Sequence, residues 1–320
     1  MGAGMMLARV ADSLYWIGRY IERAEHMSRL SDVMLTASLE QSDSAIEAAR
    51  IALRAVGDPE DVAAARHPFE AARDLLLDRT DQGSVVTSLA LARENARQVR
   101  DQITTEVWER LNMLYLRITG PNAARDFDNG SAAYLREVIS DLHLVKGAAD
   151  ATMSHGEGWK FLLLGVYLER AQLIARLLDV SFGEGAAGLP ERDHLVQMSI
   201  LRMSCALEPY LRVYTSDIRP RYILQFLLFD DEFPRSIRFV TARMEEYLTG
   251  LVRHAEASGR VAPERLAGRL SSRLEFADPE ELADLGSSGL LATVVAECAR
   301  IHDAIYETFV AYPIDQRLPA

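Results

Sequence analysis

Two short stretches of this chain set a glutamate beside an arginine inside otherwise apolar sequence: "YIERAE", Tyr20 to Glu25, and "YLERAQ", Tyr167 to Gln172. A lone buried charge is costly, so each pair needs a partner or a task. On a helix, Glu169, Gln172 and Arg176 fall at i, i+3 and i+7 and share a stripe, with Arg170 beside it. Glu22, Glu25 and Arg29 form the corresponding stripe in the earlier segment, with Arg23 beside it. Three chemistries fit. Each Glu could bond an Arg of another helix and fix how helices pack, a role that need not add net stability. The two stripes could line a polar cleft for a carboxylate, phosphate or peptide. Or Glu22 and Glu169 could act as acid or base.

Further charged groups offer themselves. In "ARENARQVRD", Arg93, Arg97 and Arg100 share a helix face, with Glu94, Asn95 and Asp101 among them. They read either as a solvated face with internal ion pairs or as inward arginines, Arg93 and Arg97 reaching Glu22 and Glu169. Ser84 and Ser236 stand where helices begin. N-capping is the plain reading; with Arg235 beside Ser236, a helix N-terminus is also a candidate anion site. Cys298 and His302 lie at i, i+4, a spacing open to a nucleophile pair or a metal edge, against a core cysteine and a surface histidine. The chain's one Glu-x-x-His, Glu191 and His194, falls short of the two such motifs plus two further glutamates that a di-iron bundle needs. No metal site and no cofactor are expected. P-loop, GxGxxG and GxSxG patterns are missing, so ATP binding by this chain is not expected either.

Positioning such groups takes helices. Leu7, Val10, Leu14, Ile17, Ile21 and Ala24 follow helical spacing, similar stripes run through 88–118 and 288–312, and strand alternation is nowhere sustained. The segment around Glu169 is apolar on almost every side, which marks a central helix. Gly18 and Gly165 sit one turn before the Glu-Arg pairs and imply close helix approach there. Breaks are expected at Gly57-Asp58-Pro59, "TGPNAARDFDNG", "FGEGAAGLP" and Asp278-Pro279.

The two Glu-Arg segments also repeat one another. Residues 14–33 set over 161–180 give nine identities in twenty positions at a constant offset of 147. A fainter echo places Asp78 over Asp230 and Ser84 over Ser236. The expected fold class is therefore all-α, a helical bundle built from two duplicated multi-helix repeats sharing one core, about 1–155 and 156–320, with five or six helices each.

Composition narrows the function. With 49% apolar residues, a chain of 320 can bury a large core, and its net charge of −12 argues against nucleic acid or an anionic membrane as partner through bulk electrostatics. Two cysteines with no CxxC, charges where a signal peptide would be apolar, and apolar runs too short to cross a bilayer lead us to expect a cytoplasmic protein.

Four blocks, "MLARVADSLYWIGRYIERAEHMSRL", "ARENARQVRDQITTEVWERLN", "GWKFLLLGVYLERAQLIARLLD" and "FPRSIRFV", together resemble the bacterial alpha-E proteins, an all-helical family (domain of unknown function 403) named for its Glu-Arg motif. The motif falls here on Glu22-Arg23, Glu169-Arg170, Arg93-Glu94-Asn95 and Pro234-Arg235-Ser236. The resemblance implies companions: a circularly permuted ATP-grasp protein and a transglutaminase-like peptidase. It therefore implies a helical accessory subunit of a peptide-synthesis, peptide-tagging or peptide-modification system. An autonomous enzyme with a Glu22/Glu169 cleft and a purely structural scaffold stand as alternatives.

Overall fold

The computed structural model describes residues 6–183, 193–252, 262–278 and 288–311. Glu191, most of "FGEGAAGLP", Pro279 and Tyr312 at the end of the 288–312 stripe lie outside them. Fourteen α-helices and no strand occur among the described residues. The first half carries α1 (Ala8–Glu40), α2 (Asp43–Val56), α3 (Glu60–Ala65), α4 (Pro68–Leu77), α5 (Val85–Gln98), α6 (Thr105–Thr119) and α7 (Ala123–Thr152). The second carries α8 (Glu157–Phe182), α9 (His194–Met203), α10 (Leu207–Tyr214), α11 (Pro220–Phe229), α12 (Ile237–Val252), α13 (Pro263–Glu275) and α14 (Ser288–Ile305), which runs into a π turn, Tyr306–Val310. That is seven in each half where five or six were expected, the surplus coming from short pieces such as α3.

The helices start and stop where their residues dictate. Ser42, Ser84 and Thr104 cap α2, α5 and α6 by accepting backbone N–H bonds from Ala45, Thr87 and Val107, and proline opens α4, α11 and α13. Gly57, with φ of 110°, ends α2 in the left-handed conformation that glycine adopts without strain. One expected break is displaced. Helix α6 does end at "TGPN", but "DFDNG" does not stop a helix: Gly130 only kinks α7, which resumes and runs to Thr152.

Two long helices form the axis. Helix α1 packs on α2, α4, α5, α7 and α9, and α8 packs on α12 and α14, while the most extensive helix contact in the fold is α1 against α8. Both are buried around most of their circumference. Polar residues inside α1 remain satisfied because Ser28 and Ser31 donate to the carbonyls of Ala24 and Met27. No helix among the described residues is long and apolar enough to cross a membrane.

Candidate functional site

Helices α1 and α8 meet backbone to backbone. A Cβ built on Gly18 would lie 1.9 Å from the Leu162 carbonyl oxygen, and one on Gly165 would lie 1.9 Å from the Tyr15 carbonyl oxygen. Only glycine permits that approach on both sides. One turn further along each helix, the contact delivers the two Glu-Arg pairs to each other.

The pairing is reciprocal. Arg23 of α1 donates through Nε to Glu169 of α8 at 2.6 Å, and Arg170 of α8 donates through Nε and Nη2 to Glu22 of α1 at 2.7 and 2.9 Å. Arg19 adds a 2.7 Å bond to Glu169 and a 3.0 Å bond to Gln172. Glu22 and the neighbouring Glu25 receive two more cations: Arg235, 3.1 Å from Glu22 and 2.6 Å from Glu25, and Lys146, which bridges both carboxylates. Arg170 also donates to the Pro234 carbonyl at 2.7 Å. Three of the four sequence blocks, from three separate parts of the chain, thus converge on one crossing.

The carboxylates are ionised and out of reach of water. Burial by itself would raise the Glu22 carboxyl, but Arg170, Lys146 and Arg235 overcome it and hold the group well below the usual range. Glu25 is lowered against its burial by Lys146 and Arg235, and Glu169 by Arg19 and Arg23. Arg235, fully buried, is driven further toward its charged form by Glu22 and Glu25 despite desolvation. Under this cluster the buried His26 is pushed down to about 4, chiefly by burial and then by Arg235, so it is neutral near pH 7. A general acid would need a raised carboxyl; these are lowered.

Other sequence candidates lie elsewhere. Arg93 and Arg97 do not point inward to the glutamates. Arg93 donates to Asn112 at 2.7 Å and stacks on Trp108 and Tyr115, tying α5 to α6. Arg97 pairs on the helix surface with Glu94, and Asn95 donates to the Leu91 carbonyl. Arg176 is exposed, off the buried stripe that holds Glu169. Arg29 stays on its stripe, 3.2 Å from Glu25. Ser84 is the α5 cap, and Ser236 accepts from Phe239 N–H at 3.0 Å while donating to the Asp230 carbonyl. Arg235 turns away from that helix start to Glu22 and Glu25, so its charge is spent inside the core. Cys298 is fully buried with its thiol pushed up to about 12 by desolvation, and His302 bonds the Tyr15 hydroxyl through Nδ1 at 2.9 Å, so the two form no nucleophile pair.

Sequence reading missed Arg19, His143 and Lys146. Arg19 sits one turn before Arg23, so the helical register alone placed it within reach. Lys146 carried a different signal, being one of only two lysines in a chain that otherwise uses arginine. Two cavities among the described residues lie away from the crossing. One of about 310 Å³ is lined by Met27, Leu53, Asp74 and Asp78, and a shallow one of about 730 Å³ by Met113, Leu116 and Tyr134. Neither reaches Glu22 or Glu169.

An all-helical protein organised around a reciprocal pair of Glu-Arg dipeptides is what these features define. The chain belongs to the Alpha-E family, described as a predicted alpha-helical domain with a conserved ER motif, which it matches over residues 6–310. It is also similar to uncharacterized proteins of Mycobacterium bovis (26% identity) and of two Mycobacterium tuberculosis strains (26% and 25%), each over 93% of this chain. The chain spans only 35% of the length of those relatives. No solved structure matches it significantly.

Proposed function

We propose that the protein is a rigid, non-catalytic helical module of a larger peptide-forming or peptide-modifying assembly, in which the Glu-Arg crossing is an internal strut holding a docking surface in shape. The observation that carries the reading is the state of the carboxylates: Glu22 and Glu169 are buried, ionised and saturated by cations from other segments. That arrangement suits a strut and leaves an acid-base enzyme without its acid. Relatives nearly three times as long support a part played inside something larger. The companions that the family resemblance suggests, a circularly permuted ATP-grasp ligase and a transglutaminase-like peptidase, give the assembly its chemistry, amide-bond formation.

The test is co-purification with an ATP-grasp protein from the same organism, followed by ATP turnover with amine and peptide acceptors. A stable complex is expected, with turnover unchanged by Glu169→Gln at a temperature where that variant remains folded. Loss of turnover in a folded Glu169→Gln variant would instead return the carboxylate to catalysis, and failure to form any complex would sink the partnership.

A further inference from the structure

Beside the crossing, cations outnumber carboxylates. Among the described residues six basic side chains, Arg29, Arg136, Lys146, Arg170, Arg202 and Arg235, act on the three α1 carboxylates Glu22, Glu25 and Asp32. The whole chain carries −12, so this surplus runs against the protein's own bias. Buried charges are ordinarily matched, and a surplus left at a solvent boundary is a site for a counter-charge.

Two helices flank this side of α1. Helices α7 and α9 each pack on α1 more than on one another, which leaves a stretch of α1 between them. From α7, Arg136, His143 and Lys146 fall at i, i+7 and i+10 and share one face. From α1, Arg29 sets Nη2 3.1 Å from His143 Nε2 and 3.2 Å from Glu25. The exposed Asp32 lies in the joint field of Arg29, Arg136 and, from α9, Arg202. Arg136 and Arg202 are exposed and have no carboxylate within 4.0 Å among the described residues. The His143 side chain is 53% exposed and those of Lys146 and Arg29 are 25% and 21% exposed, so the inner cations are still reachable from water.

We propose that this cluster binds a soluble phosphate-bearing anion. Guanidinium forks from three helices, with a lysine and a histidine, offer donors from several directions, which suits a tetrahedral, doubly charged group better than one planar carboxylate. The surplus exceeds what a single carboxylate can balance. The acidic remainder of the surface disfavours nucleic acid as the phosphate's carrier. The inference is independent of the proposed partnership and draws on residues outside the Arg-Glu strut for its rim.

Calorimetric titration of the full chain with inorganic phosphate and with pyrophosphate, at constant ionic strength set by sodium chloride, tests it. Saturable binding is expected, tighter for pyrophosphate, and about tenfold or more weaker in the double variant Arg136→Gln/Arg202→Gln. Both side chains are exposed, so that variant should unfold at the wild-type urea midpoint. The His143 imidazole resonances should shift on phosphate addition in the wild type. No saturable phosphate binding, equal affinity in the variant, or response only to a glutamate-rich peptide or to phosphatidic acid vesicles would each overturn the proposal.

Discussion

Replacing Gly18 by alanine sets two opposed effects against each other. Alanine favours a helix interior over glycine by about 1 kcal/mol, which alone would stabilise α1. Against this, the new Cβ would stand 1.9 Å from the Leu162 carbonyl oxygen and 3.0 Å from the Val166 nitrogen, both backbone atoms that cannot rotate aside. A tolerable carbon–oxygen contact is about 3.3 Å, so α1 and α8 would have to part by more than ~1 Å. Overpacking of that kind costs ~1–3 kcal/mol. The separation also pulls on the Arg23–Glu169 and Arg170–Glu22 bonds, at 2.6 and 2.7 Å, and weakening buried pairs whose full rupture costs ~3–5 kcal/mol adds to the loss. The net expectation is a destabilisation of about 2–4 kcal/mol, read as a lower urea midpoint at unchanged slope by circular dichroism. Gly147→Ala is the control: nothing lies within 4 Å of its would-be Cβ, so the helix term acts alone and the midpoint should rise. Gly165→Ala should resemble Gly18→Ala, and the double variant should lose less than the two losses added, because one separation relieves both clashes. A Gly18→Ala protein as stable as wild type, or strict additivity in the double variant, would refute the account of the crossing.

Removing a single carboxylate should cost ~3–5 kcal/mol in Glu22→Gln, which leaves Arg170 and Arg235 buried without their shared anion, and thermal unfolding will rank it below Glu169→Gln if the cation count decides. Acid should act in two stages. His26 is lowered in the folded state from 6.5 to about 4, so the unfolded chain binds more protons between those values, and stability present above pH 6.5 falls by ~3 kcal/mol on the way down to pH 4. Glu22, Glu25 and Glu169 are lowered from 4.5, so their contribution is intact above that pH and drains away below it, and His26→Phe should flatten only the first stage of a urea-midpoint profile. A thiol reagent should leave Cys298 unmodified in the native protein and label it in urea, counted by mass spectrometry.

The helical class, the central place of α8, the glycine contact and the caps at Ser84 and Ser236 were legible in the sequence, because each rests on local spacing or on a single residue's backbone freedom. The identity of the salt-bridge partners was not. Periodicity assigns a residue to a face of its own helix, whereas pairing depends on how that helix is rotated against others. Arg93 and Arg97 share a face as expected, yet that face meets Trp108 and solvent. Arg235 looked like an anion ligand at a helix start, and only the path of its connecting segment turns it inward to Glu25. Lys146 reaches the cluster from α7, a helix absent from the sequence blocks that flagged the Glu-Arg pairs.

The reciprocity of the crossing bears on how the chain comes to be folded. Each half carries a glutamate whose arginine belongs to the other, at sequence separations of 146 and 148 residues. During synthesis Arg19 and Arg23 of α1 therefore emerge without their carboxylate and wait for α8, so full burial of α1 must be late, and the slow closure of a long loop stands between collapse and the native state. The same bonds are indifferent to which molecule supplies α8. At high concentration, two copies can exchange halves and make the Arg23–Glu169 and Arg170–Glu22 bonds in trans, giving a swapped dimer that would dissociate only on unfolding.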